Sequence, residues 1–213
     1  MAVNSFQKRV QCDAPQTIAE LAPNVLYRVP LCGDEAVRRA LRNAYAEFCR
    51  GSSCYSSVLT CPIEEGVTDY PILPRFGGYV DSVRRVWTDF FTMREGVDYF
   101  VVDGDPVLVR LASAPVDLSG NEPKMRVLMV EQPMDGAENA PQWIIDRYGA
   151  AFVSGALAEL YAMQGMPWYR PDVAVQERRR FDDAVHGAKM RSLACANAGS
   201  GRASALDTSN YIL

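Results

Sequence analysis

The stretch Pro141–Ser192, PQWIIDRYGAAFVSGALAELYAMQGMPWYRPDVAVQERRRFDDAVHGAKMRS, decides how the rest of the chain is interpreted. Its first part, residues 142–164, contains only three charged side chains, Asp146, Arg147 and Glu159. A helix that is apolar on nearly all sides must be covered by protein on most of its faces. The charges interrupt it too much for a membrane span. We therefore expect residues 142–164 to form the central helix of a helical core.

The second part, residues 171–192, predicts a helix of a different kind. Its apolar residues form a narrow stripe at helical spacing, made of Ala174, Phe181, Val185 and Ala188. Half of the other positions are charged. We expect one side of this helix to pack on the central helix, while the rest faces water or another subunit.

A third helix is predicted upstream, at residues 34–51. Asp34 and Glu35 supply a cap and negative charge at its N-terminus, and Gly51 is a natural stop. Its apolar face follows steps of three and four and consists of Val37, Leu41, Ala44, Tyr45 and Phe48. Its polar face, which fits either the wet side of a bundle or a subunit contact, consists of Arg38, Arg39, Arg42, Asn43 and Glu47.

The segment before that helix predicts a short helix and a connection. Residues 17–21 favour a helix that Pro23 stops. The following residues, up to Pro30, are better interpreted as an extended connection, since a helix cannot continue through that proline.

Between the helices the hydrophobic period changes to two, which is typical of strands. Six runs are rich in Val, Tyr, Phe, Leu and Thr and are separated by turn residues. They cover residues 55–60, 70–73, 79–91, 99–102, 107–111 and 125–131. Short antiparallel strands at this spacing predict a compact sheet or a small sandwich. The long run 79–91 should contain a bulge or a bend.

The predicted fold class is therefore α+β. A helical bundle core carries an inserted antiparallel β region at about residues 55–131. We expect a single domain over residues 1–192, in which residues 15–51 and 141–192 form the bundle and residues 52–133 the insertion.

From residue 193 the composition shifts to Ala, Ser, Gly, Asn and Thr. Such a segment cannot bury enough apolar surface to order itself, so residues 193–213 predict a flexible C-terminal arm. The arm ends in Tyr211, Ile212 and Leu213. An apolar tip on a polar arm is typical of an anchor that binds a groove on a partner.

The charge balance limits the possible partners. With a net charge of −4 and a pI of about 5.1, the chain lacks the surplus of Lys and Arg needed to hold nucleic-acid phosphates. It begins without a secretory signal and has no apolar run of membrane-spanning length. We therefore expect a protein that is made in a cytoplasm and does not bind a membrane.

Six cysteines raise the question of a metal or disulfide site, and none sits in a C-x-x-C pair. This spacing lacks the signature of a structural zinc module, and cytoplasmic thiols are usually reduced. We interpret them as small apolar groups of unassigned role. They are Cys12, Cys32, Cys49, Cys54, Cys61 and Cys195.

One grouping on the last helix could carry chemistry. Asp182 and His186 lie one turn apart on the same face, next to Asp183, and could bind a metal or orient a general base. His186 is the only histidine in the chain. A metal-dependent hydrolase that uses these residues is thus an alternative to the ordinary interpretation, a salt-bridged exposed helix.

Three other segments have ordinary interpretations. The segment 103–105, Asp-Gly-Asp, lacks the remaining ligands of a calcium loop and predicts a hairpin turn. The basic run 178–180 is flanked by acidic side chains and predicts a self-compensated surface. Trp168 and Tyr169 could stack on a ligand, but aromatic rings in a helix connection more often plug the end of a core.

Three motifs in order along the chain carry a family resemblance. The first is Val29-Pro30-Leu31-Cys32 followed by the segment 40–49, ALRNAYAEFC. The second is Pro62-Ile63-x-x-Gly66-Val67-x-x-Tyr70. The third is the segment 150–168, AAFVSGALAELYAMQGMPW, followed by Pro171 and a charged helix with Phe181. Together they resemble the head-to-tail adaptor (neck) proteins of tailed bacteriophages over about residues 17–192.

The resemblance implies a non-enzymatic virion protein with no cofactor and no metal. Such proteins form a ring, typically of twelve copies, below the portal. The ring extends the DNA channel, helps to retain the genome and provides the docking surface for the tail or nozzle. The resemblance also implies a helical bundle with an inserted β region and a C-terminal arm that reaches the portal, where Tyr211, Ile212 and Leu213 would dock.

Other functions remain open from the sequence alone. A tail-completion or terminator protein would bind the tail tube in place of the portal. The hydrolase that uses Asp182, Asp183 and His186 belongs to a different class, as does a nucleic-acid-binding module, which the acidic charge disfavours.

Overall fold

The computed structural model describes residues 15–74, 78–113 and 123–198. These residues form four α-helices, one short 3-10 helix and three small antiparallel sheets. The chain is therefore of the mixed α+β class, as predicted. It divides into two compact units, one within Met1–Ser52 and Pro133–Arg191 and the other within Ser53–Gln132 and Ser192–Leu213. The interpretation of residues 1–192 as one domain stays a prediction.

The helices lie largely in the first unit. They are a 3-10 helix at Ile18–Leu21, α1 at Ala22–Leu26, α2 at Asp34–Ser52, α3 at Gln142–Tyr161 and α4 at Pro171–Ala198. This unit also contains a small sheet in which β1, Pro15–Thr17, pairs antiparallel with β8, Asn139–Pro141. The predicted helices at 34–51, 142–164 and 171–192 are thus all present, with shifted ends.

The prediction for the segment before α2 is confirmed for the short helix, which is the 3-10 helix Ile18–Leu21, and is wrong for the residues that follow it. Pro23 does not end a helix, because it lies in the first turn of α1. The first turn of a helix tolerates proline, since its missing N–H would have no partner inside the helix. Val25 is therefore helical and fully buried, where an extended connection was expected.

The predicted end of the last helix is also wrong. The helix α4 continues to Ala198, so the arm expected from residue 193 begins with helical residues. The segment 193–198 is rich in Ala, the strongest helix former, which favours this continuation. The anchor residues Tyr211, Ile212 and Leu213 lie outside the described residues.

The core of the first unit is built from aromatic rings on three helices. Phe48 of α2 contacts Phe152 of α3 at a centroid distance of 5.2 Å and Phe181 of α4 at 6.1 Å. Tyr45 packs edge-on against Phe152 at 5.6 Å, and Tyr148 lies 4.8 Å from Phe48. Each of these pairs adds about 0.5–1.5 kcal/mol beyond the burial of its area.

Two glycines allow these helices to approach closely. A Cβ on Gly155 of α3 would lie 2.8 Å from the Cβ of Ala44 and 2.8 Å from the ring of Phe181. A Cβ on Gly51 would lie 2.8 Å from Cγ1 of Val185. Gly51 is therefore a contact residue inside α2, and the predicted stop is wrong by one residue. The residue after the helix, Ser53, takes the left-handed conformation with φ of 48°.

The second unit contains the six predicted strands. They are β2 Ser56–Pro62, β3 Asp69–Ile72, β4 Tyr79–Thr88, β5 Tyr99–Val102, β6 Val107–Leu111 and β7 Lys124–Gln132. They form two three-stranded sheets, of order β2-β7-β4 and β3-β6-β5, in which all neighbours are antiparallel. The strand β4 shifts register twice against β7, which confirms the predicted irregularity.

Both sheets of the second unit contribute to one hydrophobic core, as in the predicted small sandwich. Its fully buried members include Val86, Val109, Met125 and Val127. The connection between β2 and β3 is fastened to this core by Tyr70. Its hydroxyl oxygen accepts a hydrogen bond from the Glu64 N–H at 3.1 Å, and its O–H donates to the Val67 carbonyl at 3.2 Å. The second sequence motif, residues 62–70, is thus a turn that the hydrogen bonds of its own Tyr70 stabilise.

Candidate functional site

Glu177 on α4 is a buried charge that the sequence interpretation missed. It lies three residues after Ala174 and four before Phe181, so helical spacing places it in the buried stripe. Its side chain is only 2% exposed. Arg28 and Arg180 both donate to its Oε1, at 2.7 Å and 2.8 Å. Its Oε2 is buried and accepts no hydrogen bond from the described residues.

Arg28 is held in place by the backbone around it. It lies in the turn after α1, and its carbonyl accepts a hydrogen bond from the Tyr161 hydroxyl at 3.2 Å. The Tyr161 carbonyl in turn accepts from the Arg170 N–H at 2.9 Å. The Arg28–Glu177 pair therefore ties the end of α1 to α4, next to the point where α3 ends. Since burying a carboxylate without partners is costly, this pair fixes how α4 lies on the unit.

The polar face of α2 makes contacts within the chain. Arg42 donates to Glu138 at 2.7 Å and to Glu35 at 3.0 Å. Asn43 donates to Glu159 of α3 at 3.1 Å. Both interpretations of this face, the wet side of a bundle and a subunit contact, stay predictions.

The basic run on α4 is compensated by neighbouring acids, as predicted. Arg178 donates to Glu47 of α2 at 3.1 Å and forms an ion pair with Asp182 at 3.0 Å. The hydrogen bond to Glu47 is the main cause of a raised pKa for Arg178. Arg180 is paired with Glu177. This surface therefore presents salt-bridged arginines, which suits packing between helices.

The grouping of Asp182, Asp183 and His186 lies on the exposed side of α4. Asp182 is occupied by its ion pair with Arg178. Among the residues that the structure describes, no group of three or more His, Cys, Asp and Glu side chains is arranged to hold a metal ion. The three side chains are exposed, and one of them, Asp182, is salt-bridged.

Two further segments lie where the ordinary interpretations place them. Asp103 and Asp105 are exposed in the connection between the antiparallel strands β5 and β6, which confirms the hairpin turn. Trp168 is half-buried between α3 and α4, and its Nε1–H donates to no acceptor among the described residues. Tyr169 is 40% exposed, so its ring is not part of the buried core.

The described cysteines are spread over both units. Cys32, Cys49 and Cys54 are buried, and Cys61 on β2 is half-buried. Burial raises the pKa of the Cys32 and Cys61 thiols, which favours their neutral form. This environment agrees with their interpretation as small apolar groups. Cys12 and the side chain of Cys195 lie outside the described part of the chain.

Two further observations bear on function. In the described part of the chain, none of the helices has both the length and the hydrophobicity that a membrane span requires. No protein-family model matches the chain, and no curated protein is significantly similar to it. The expectation of a phage adaptor therefore rests on the three motifs and on the architecture that contains them.

Proposed function

We propose that this chain is a head-to-tail adaptor of a tailed bacteriophage. It forms a homo-oligomeric ring, typically of twelve copies, below the portal and connects the DNA-filled head to the tail or nozzle. The ring extends the DNA channel and helps to retain the genome. The chain is a structural protein of the virion neck, assembled in the host cytoplasm, and it carries no catalytic site.

The observation that carries this proposal is the insertion of a β unit into a helical unit. The six strands of the second unit lie between α2 and α3, the order that the resemblance implies. The segment 40–49 of the first motif falls on α2, and its other part, Val29–Cys32, lies just before that helix. The second motif falls on the turn that Tyr70 fastens, and the third on α3 and the connection to α4. Each motif thus corresponds to a separate structural feature.

We also propose that α2, α3 and α4 form the helical bundle of such an adaptor. The contacts of Phe48 with rings on α3 and α4 support this arrangement. So does Gly155, which lies against residues of both α2 and α4. A rigid bundle would hold its surfaces in fixed positions around a ring, as docking to a portal requires.

The acidity of the chain agrees with a channel that DNA passes through. With a net charge of −4, the chain has no surplus of cations to hold the phosphate backbone. A wall that does not attract phosphates lets double-stranded DNA slide during packaging and ejection. DNA is therefore a passing partner, without specific binding.

The C-terminal arm is the proposed contact with the portal. Tyr211, Ile212 and Leu213 form its apolar tip, and we expect them to dock into a groove of the portal. Replacing these three residues with Ser should abolish binding to the portal and leave the fold intact. Replacing the preceding Thr208, Ser209 and Asn210 with Ala is the matched control, which should bind normally.

Electron microscopy of the purified chain, alone and mixed with the portal protein of the same phage, tests the proposal. We expect rings stacked coaxially on the portal. Rings that join isolated tail tubes and ignore the portal would identify a tail-completion or terminator protein instead. A chain that forms no ring and joins neither assembly would overturn the proposal.

A further inference from the structure

The β3-β6-β5 sheet of the second unit has an outer face that is largely apolar. The inward side chains of this sheet, such as Tyr70, Val109 and Tyr99, belong to the core. Alternation along each strand turns six other residues outward. We call these six residues the outer face; they are Asp69, Pro71, Phe100, Val102, Leu108 and Arg110.

Four of the six outer-face residues are apolar, whereas the solvent side of an antiparallel sheet is ordinarily polar. Leu108 is paired with Pro71 on one side and with Val102 on the other, so these three side chains stand in one row. Phe100 lies on the neighbouring row and is 46% exposed. Strands that are apolar on both faces are typical of sheets that are covered on both sides.

The two charges on the outer face are satisfied by each other. Arg110 donates to Asp69 twice, with Nε–Oδ1 at 2.7 Å and Nη2–Oδ2 at 2.9 Å. The face is therefore neutral and offers no unpaired charge to an incoming group. A nucleic acid would need a surplus of cations. The chemistry of the face thus fits an apolar occupant.

The size of the outer face limits the occupant further. Its six side chains cover on the order of 200 Å², from strand spacings of about 4.8 Å and repeats of about 6.8 Å along a strand. Stable interfaces between separate proteins bury about 800 Å² per partner, so neither another protein nor a second copy would be held by this face alone. A segment of the same chain needs less area, because its tether supplies an effective concentration in the millimolar range.

The helix α4 brings such a segment to the second unit. The Ser192 hydroxyl donates a hydrogen bond to the Ser53 carbonyl at 2.9 Å, and both residues belong to the second unit. The helix ends six residues later, at Ala198. Whatever follows Ala198 is therefore tethered close to the point where the β unit begins.

The apolar tip of the arm, Tyr211, Ile212 and Leu213, follows Ala198 after the twelve residues 199–210. A linker of twelve residues that is rich in Gly and Ser spans about 20 Å on average and about 40 Å when fully extended. The β unit, Ser53–Gln132, has the length of a body about 30 Å across. The linker is thus long enough for the tip to reach the outer face.

We propose that the apolar tip binds the outer face of its own chain. Its three side chains are enough to cover the row formed by Pro71, Leu108 and Val102, with Phe100 beside them. The contact is small, so we expect its dissociation constant, measured with a separate peptide, to be millimolar. Since the effective concentration of the tethered tip is also millimolar, the tip lies on the face in about half of the molecules.

This inference does not rest on the proposed adaptor function, because the contact is made within one chain and needs no portal. The two proposals are tested separately. A chain whose tip binds its own outer face but never forms a ring would refute only the adaptor. Rings that form from a chain whose tip never touches the face would refute only the contact.

Limited digestion of the full chain with chymotrypsin, followed by mass spectrometry, tests the contact. The protease cuts after Tyr211 only when the tip is free, so Phe100→Asp should be cut there about twofold faster than the wild type. Phe90→Asp is the matched control, since Phe90 is 74% exposed in the same unit but lies outside the outer face. It should be cut at the wild-type rate. Equal rates in all three proteins, or a control that is cut as fast as Phe100→Asp, would overturn the proposal.

Methyl NMR of the full chain tests the contact without a change in the β unit. Replacing the three tip residues with Ser should shift the methyl signals of Val102 and Leu108, because the Tyr211 ring no longer lies near them. Replacing Thr208, Ser209 and Asn210 with Ala should leave these signals in place. Unchanged signals in the tip variant would refute the contact. Signals that shift with protein concentration would identify the tip of a second copy as the occupant and refute the intramolecular contact.

Discussion

Replacing Gly155 with alanine should destabilise the helical unit, although alanine is the better helix former. A new Cβ would lie 2.8 Å from the Cβ of Ala44 and 2.8 Å from the Phe181 ring, where ordinary contacts begin at 3.4 Å. Both neighbours would have to retreat by about 0.6 Å, and the Cβ of Ala44 can move only with the backbone of α2. The added methyl group would therefore clash with residues of two neighbouring helices.

The expected magnitude follows from two opposing effects. Overpacking a well-packed core costs about 1–3 kcal/mol, and contact on two sides places this site at about 2–3 kcal/mol. Removing a glycine from a helix interior contributes about 1 kcal/mol of stability. The free energy of unfolding should thus fall by about 1–2 kcal/mol in Gly155→Ala.

The matched control is Gly187→Ala on α4. A Cβ there meets only the far end of the flexible Arg191 side chain, at 3.8 Å. This variant should gain about 1 kcal/mol, so the two alanine variants should differ by about 2–3 kcal/mol. Urea unfolding followed by far-UV circular dichroism measures this difference, because the helices lie largely in the first unit. If Gly155→Ala proves as stable as Gly187→Ala, the three helices do not meet at Gly155 as described.

Three further predictions concern single contacts in the two units. Arg28→Ala should lower the free energy of unfolding by about 2–3 kcal/mol, because Glu177 stays buried with one arginine fewer; a loss below the error of urea titration would contradict a stabilising role of the Arg28–Glu177 pair. Tyr70→Phe should cost about 1 kcal/mol by releasing the turn after β2, and unchanged protease resistance of that turn would speak against it. The hydrogen bond from Arg110 lowers the pKa of Asp69, so this pair stabilises the fold above the ordinary aspartate pKa and loses its effect as the pH falls through the lowered value. The stability difference between the wild type and Asp69→Asn should therefore shrink on acidification, and a constant difference would rule out the linkage.

Much of the fold could be predicted, because in most segments the pattern of apolar and polar residues matches the pattern of buried and exposed positions. The strand runs alternate with a period of two, so their positions followed from side-chain type alone. The helix ends were less predictable. Pro23 can stop a helix or sit in its first turn, and only the packing of Val25 decides between these roles. Likewise, a glycine such as Gly51 is typical of a helix end, but in the structure it lies inside α2, where it allows close contact with α4.

The buried glutamate shows what a residue-type argument overlooks. Glu177 stands beside three arginines, so its type and its neighbours both indicated a solvent-exposed acid. Its position along the helix indicated burial, because helical spacing places it between Ala174 and Phe181 on the apolar stripe. A buried carboxylate needs a partner, and residue type does not show which one. In this chain the partner is Arg28, which is 149 residues away in sequence.

The β3-β6-β5 sheet shows the converse disagreement between residue type and position, because apolar residues stand at positions that point away from the core. Strand periodicity predicts alternating polar residues there, yet Phe100, Val102 and Leu108 stand at outward positions. For Glu177 the conflict is resolved inside the chain, by an ion pair. For Phe100, which is 46% exposed, it is not resolved by the described residues.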